Sequence, residues 1–178
     1  MATSIKNDHL KIGKNDAPVK LEAFINVACK GTANIYHLGK QALPEYIESG
    51  KLQIIIKLYD KPREELLLGS LVHWSLDHSN PEQTLHVITD LLEKHPSWME
   101  LSDKELKQQI VKDYGLSPEE RLENVDISLA ITKEAIERDI SKVPTLFFNG
   151  KRLHGYTYEL EPEDLKNAVE QALSQVNN

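Results

Sequence analysis

The one residue of this chain whose side chain is a ready nucleophile is its single cysteine, Cys29. It lies within residues 24–44, FINVACKGTANIYHLGKQALP, where an apolar run gives way to a helical one. A helix start leaves backbone N–H groups without intrahelical partners, and these favour a negative charge placed before the first turn. The thiolate is the nucleophilic form of cysteine, so this placement marks Cys29 as the reactive atom of a redox or transfer site. Lys30 adds a positive charge beside it. Thr32, three residues on, is read either as a hydroxyl donor to the thiolate or as a helix cap. With only one cysteine in the chain, any disulfide it makes is with another molecule. The accessible chemistry is attack by Cys29 on a disulfide, giving a mixed disulfide that an outside thiol resolves. By burial statistics alone a lone cysteine is a small buried hydrophobe, so the elements around it have to carry the case.

Those elements read as alternating strands and helices. Residues 10–12 form a short strand, and Asn15-Asp16-Ala17-Pro18 turns the chain into a second strand, residues 19–27, that ends at Cys29. Ile35, Leu38, Leu43, Tyr46 and Ile47 recur at helical spacing, with Pro44 expected to kink the helix and Ser49-Gly50 to stop it. Residues 52–58, LQIIIKL, are continuously apolar and β-branched, as in a central strand covered on both faces. Strand, helix, strand in this order predicts a right-handed crossover with the site at the carboxyl edge. Residues 63–77, 81–94 and 103–114 then form three helical patterns. Ser102 and Glu105 supply a capping box for the third, and Gly115 a stop. Residues 125–140 predict a further helix with Ile127, Ala130, Ile131, Ala135 and Ile136 on one face. VPTLFFNGKRLHG reads as a hairpin, strands 145–148 and 151–153 joined by Asn149-Gly150. A last helix over 161–173 carries acids in its first turn.

This layout, with FINVAC, then Leu43-Pro44 and YIESGK before the third strand, then VPTLFFNGKRLHG, resembles the DsbA family of thiol–disulfide oxidoreductases. The fold class expected is α/β: a thioredoxin fold interrupted by an all-helical insertion, with residues 1–60 as its first half, 61–124 as the insertion and 125–178 as its second half. The resemblance implies that Pro144 is cis and lies against Cys29, and that Val143 offers its backbone to a substrate strand. Three departures stand out. Cys29-Lys30-Gly31-Thr32 replaces the family's Cys-x-x-Cys, so the resolving thiol is missing. Ala23 stands where the family often has a carboxylate, Glu22 facing the opposite side of the strand. The stretch from Cys29 to Leu43-Pro44 is longer than expected, which predicts an extended or irregular first helix.

The site residues expected are therefore Cys29, Thr32 and Lys30 for chemistry and Val143 and Pro144 for substrate. The function expected is a monothiol, DsbA-like oxidoreductase that passes through a mixed disulfide with a small thiol or protein partner. No cofactor is expected beyond glutathione or another low-molecular-weight thiol as co-substrate. A redox-inactive peptide-binding module and a glutathione-transferase-like enzyme are the alternatives. His73, His78, His86 and His95 crowd the helical stretch, but none is paired at i, i+4 and no second cysteine exists, so no metal site is expected. His37 reads as a helix-surface residue, and Trp74 and Trp98 as core.

Composition bounds the rest. The 178 residues, 40% hydrophobic and 28% charged, suit a globular protein with a sizeable core. A net charge of -7 argues against binding nucleic acid or anionic lipid. The polar N-terminal stretch MATSIKNDHLKIGK lacks a signal-peptide core, and no run approaches the ~18 apolar residues of a membrane span, so the expected location is the cytoplasm.

Overall fold

The computed structural model describes residues 10–178; residues 1–9, most of the N-terminal stretch discussed above, lie outside the described residues. Five strands form one sheet in the order β1-β3-β2-β4-β5. They are β1 (Leu10–Ile12), β2 (Val19–Ile25), β3 (Leu52–Leu58), β4 (Thr145–Phe148) and β5 (Lys151–Arg152). β2 runs parallel to β3 and antiparallel to β4, with Ala23 opposite both Ile56 and Leu146. Parallel strands need a crossover, and here it is α1 (Lys30–Ala42) followed by α2 (Pro44–Glu48). Pro44 does more than kink the expected helix. Leu43, at φ -104° and ψ -17° still in the right-handed helical region, caps the end of α1, and Pro44 starts a new helix at its first position, where its missing N–H is harmless.

Side-chain alternation along β2 divides the core in two. Val19, Leu21, Ala23 and Ile25 point to one face and join the larger cluster, which also holds Val72, Leu76, Ile88, Leu91 and Trp98 from the helical stretch. That stretch comprises a 3-10 turn (Glu64–Leu66), α3 (Leu67–Ser75), α4 (Pro81–Lys94) and α5 (Asp103–Tyr114). It shares its core with the sheet. Phe24 points to the other face and packs on Phe147, Tyr59, Ile131, Ala135 and Ile140, beneath α6 (Glu123–Glu137). The C-terminal α7 (Pro162–Val176) packs against α1, β2 and β4. No helix among the described residues is long and apolar enough to cross a membrane.

Several sequence expectations shift by a residue or more. The second strand stops at Ile25, not residue 27. The helix read over 63–77 ends at Ser75 because Asp77 accepts hydrogen bonds from the Ser79 N–H and hydroxyl, an alternative to helix that short polar side chains offer. α6 runs from Glu123 to Glu137, and Ile136, expected on its buried face, is 71% exposed. Ile131 and Ala135, four apart, hold that face alone with partial help from Ile127. The Asn149-Gly150 turn has φ of 46° and 81°, the two positive values that a two-residue hairpin turn requires.

The face of β2 under α6 carries a charge network. The Lys57 ammonium, 6% exposed, lies 2.6 Å from Glu22 and 2.7 Å from Glu134, and Arg138 reaches Glu22 at 2.8 Å. Burial raises the Glu22 pKa, but hydrogen bonds from Arg138 and Lys57 outweigh it and hold the carboxyl below its ordinary 4.5. The network's contribution to stability is thus complete above pH 4.5 and is lost as pH falls through the lower folded value. Glu22→Gln is expected to cost about 2 kcal/mol at pH 7, because it leaves a buried ammonium short of one partner. The difference from wild type should shrink in acid. Urea unfolding of both proteins at neutral and acid pH reads this out, and a pH-independent difference would contradict it.

Candidate active site

Between the end of β2 and the start of α1 the chain must leave the sheet, and Asn26, Val27 and Ala28, all buried, have backbone groups that need partners. Each finds one. The Ala28 N–H donates to the Asn26 side chain at 2.9 Å, and the Cys29 N–H donates to the Asn26 carbonyl at 3.0 Å. The Val27 N–H donates to His73 Nε2 at 3.4 Å, and His95 Nε2 donates to the Ala28 carbonyl at 3.0 Å. The Asn26 amide donates to the Leu66 carbonyl at 3.3 Å. His73 in turn donates through Nδ1 to Asp60 at 2.7 Å, which also accepts from Ser128 at 2.6 Å and Trp74 at 3.2 Å. Burial pushes the Asp60 carboxyl upward, yet His73 and these hydrogen bonds bring it below its ordinary value. Four elements thereby fix the three residues that aim Cys29.

Gly69 of α3 makes that fit possible. A Cβ on it would stand 1.9 Å from Asn26 Oδ1 and 2.9 Å from the Ala28 nitrogen.

Cys29 is the N-cap of α1, with extended backbone (φ -76°, ψ 121°) and no side-chain cap bond. The residue is partly buried. Sγ lies 3.5 Å from the Val143 carbonyl, across 114 residues of sequence. The Val143–Pro144 peptide bond is cis, as is His95–Pro96. An atom at the Cβ position of Gly31 would be 3.1 Å from Pro144 Cδ and 3.6 Å from the Cys29 sulfur, so the first turn of α1 abuts Pro144 directly. Cys29, Val143 and Pro144, which the sequence reading paired, are brought together.

Lys30 and Thr32 are placed otherwise. Lys30 is exposed, its ammonium 5.7 Å from the Tyr158 ring centroid. Thr32 is 2% exposed and its hydroxyl makes no hydrogen bond among the described residues. The expected bond from Thr32 to the Cys29 sulfur, and the alternative cap, are both absent. The first turn of α1 directs this side chain inward, toward the sheet.

Cys29 opens on a cleft of about 350 Å³ whose far wall is residues 152–158 and Leu160. Asn34 of α1 donates to the Thr157 carbonyl at 2.6 Å and ties that wall to the helix. Tyr156 and Tyr158, 58% and 46% exposed, meet in a tilted contact, centroids 5.0 Å apart and ring planes at 59°. The Tyr158 phenol is held above its ordinary value, chiefly by desolvation. Lys142, Arg152 and His154 line the cleft, and no Asp or Glu among the described residues does. The sequence reading missed this wall, and it weighed His73 and His95 as metal ligands only. The spacing Tyr-x-Tyr just after the hairpin is the one signal that pointed to the former.

A thioredoxin family model matches residues 5–171. The chain belongs to the thioredoxin family. Its architecture is also that of DsbA-like structures. A conserved protein of unknown function from Enterococcus faecalis is 28% identical over 95% of this chain and 98% of that one, with a TM-score of 0.80. The catalytic domain of Proteus mirabilis ScsC is 16% identical, covering 94% and 90%, at 0.75. Wolbachia pipientis alpha-DsbA1 is 17% identical, covering 94% and 92%, at 0.73. Among curated proteins none matches. The chain thus shares the fold of these structures and carries a single cysteine.

Proposed function

We propose that this protein is a monothiol thiol–disulfide oxidoreductase that works through a mixed disulfide on Cys29. The observation that carries the reading is the Cys29 sulfur at the start of α1, lining the cleft, 3.5 Å from the Val143 carbonyl and beside Pro144. The Cys29 thiolate attacks one sulfur of a disulfide R–S–S–R′; the Cys29–S–R bond forms, the S–S bond breaks and R′S⁻ leaves with its electron pair. A second, external thiolate then attacks that mixed disulfide, releases R as a new disulfide and returns the Cys29 thiolate. No group in the chain can do this second step, since no other cysteine exists. The backbone of Val143 is available to align an extended substrate by strand addition. The basic side chains around the cleft, together with Lys30, favour an anionic thiol. Glutathione, with its two carboxylates, fits that description.

The reading predicts that wild type incubated with oxidised glutathione gains one glutathionyl group by intact mass and loses it to excess reduced glutathione. Cys29→Ser should gain none. A folded wild type that gains no adduct overturns the reading and leaves the redox-inactive peptide-binding module.

A further inference from the structure

The outer face of α6 is apolar, and nothing among the described residues covers it. Leu122, Val125, Leu129 and Ile136 are 50% to 84% exposed, and their spacing of three, four and seven residues sets them in one stripe along the helix. Thr132 fills the remaining position of that repeat. The opposite face, with Asn124, Ile131 and Ala135, is buried. Single exposed apolar side chains need no explanation, but a continuous stripe of large ones marks a contact surface. Among the described helices α6 alone contributes to the cluster on the Phe24 side of the sheet, so its stripe faces away from the rest of the molecule.

The charges beside the stripe choose the occupant. Asp126 and Lys133 run along one flank, one heptad apart and both exposed. Among the described residues Lys133 pairs with Glu137 alone, at 3.9 Å, and Asp126 enters no ion pair. When two copies of a helix pack antiparallel, the same flank of each faces the other, so charges along it meet. A two-fold axis crossing α6 between Leu129 and Thr132 sets Val125 against the partner subunit's Ile136 and Leu129 against the partner subunit's Thr132. It also sets Asp126 beside the partner subunit's Lys133, and the symmetry makes that pair twice. A parallel pair would instead turn Asp126 and Lys133 toward the partner's Arg121 and the partner's Ser128. Both residues are already engaged within their own chain, Arg121 with Asp77 at 3.3 Å and Glu123 at 3.4 Å, and Ser128 with Asp60 at 2.6 Å. Glu123, Asp126 and Glu137, all exposed beside the stripe, repel an anionic lipid surface.

We infer that α6 is the surface through which two copies of this chain associate, antiparallel about a two-fold axis, with Leu129 beside the axis and Asp126 of each copy paired to the partner subunit's Lys133. Each copy contributes one helix of 15 residues, about 22 Å long. A contact of that extent belongs to the smallest class of specific interfaces, under roughly 1,200 Å². The dimer is therefore reversible and depends on concentration.

The test is sedimentation of the full chain from about 10 μM to 1 mM, in a phosphine reductant so that Cys29 bridges no two chains. Wild type should pass from monomer to dimer and form nothing larger. Leu129→Glu, at an exposed position, should keep its circular dichroism spectrum and stay monomeric throughout. Asp126→Lys and Lys133→Asp each set like charges against one another across the axis and should weaken self-association roughly 10-fold or more. Mixed in equal amounts, the two variants should associate as tightly as wild type, because every facing pair is again opposite in sign. A wild type that is monomeric at the highest concentration, a dimer that survives Leu129→Glu, or a mixture no tighter than its separate components overturns the proposal. None of these outcomes depends on whether Cys29 exchanges disulfides.

Discussion

Thr32→Cys should turn the one-to-one glutathione adduct into an internal disulfide. Residue 32 sits three positions after Cys29 on the first turn of α1, and side chains at that spacing have Cβ atoms ~5–6 Å apart. A disulfide wants ~3.5–4.5 Å. The remaining adjustment falls in the first turn of the helix, and the substitution changes side-chain volume little. Once Cys29 carries glutathione, the new thiol attacks within the same molecule, expels reduced glutathione and closes the ring, favoured by proximity over any solution thiol. Intact mass after exposure to oxidised glutathione should therefore show a persistent adduct for wild type and, for the variant, the unmodified chain less two hydrogens. An adduct that persists in a folded variant would show that the scaffold lacks exchange geometry.

Gly69→Ala should be the most destabilising single methyl in the molecule. Its Cβ would overlap Asn26 Oδ1 at 1.9 Å and press on the Ala28 nitrogen at 2.9 Å. Neither can retreat cheaply. Asn26 holds the Ala28 N–H and the Leu66 carbonyl, and Val27 and Ala28 are tied to His73 and His95. Overpacking of this kind costs about 3 kcal/mol, and here it also displaces the three residues that aim the sulfur. Both the urea midpoint and the rate of glutathione exchange should fall. Gly39→Ala is the control. That residue lies inside α1, where a Cβ meets only Leu43 Cδ1 at 3.6 Å, so the change should stabilise by about 0.5–1 kcal/mol through helix propensity. If both alanines behave alike, the loop before Cys29 is not held as described.

Much of this was written locally. LQIIIKL could only be an interior strand, Asn149-Gly150 only a tight turn, and Ser102 with Glu105 a helix start, because each depends on neighbours in sequence. The place of Cys29 at a helix start was legible for the same reason: a strand running into a helix puts whatever lies at the junction before free N–H groups. Val143 and Pro144 came only through the resemblance, as their contact with Cys29 closes over 114 residues. What stayed hidden depends on long-range partners. His73 and His95 reach the Val27 and Ala28 backbone over 46 and 67 residues, and no pattern in the sequence distinguishes such histidines from surface ones. The inward turn of Thr32 was equally hidden, since a helical period places a side chain on a face but not against a given neighbour. Ile136 failed differently. It fits the apolar period of α6, yet nothing packs over it and it stays exposed.

A fold that makes Cys29 a reactive nucleophile must speed its reaction with an electrophile. The most direct measurement is the rate of Cys29 alkylation by iodoacetamide at neutral pH, in the folded protein and in the same chain unfolded in urea. Placement before the α1 N–H groups, beside Lys30 and open to a basic cleft, predicts several-fold faster reaction when folded. A rate that is equal in the two states, or slower when folded, would contradict it.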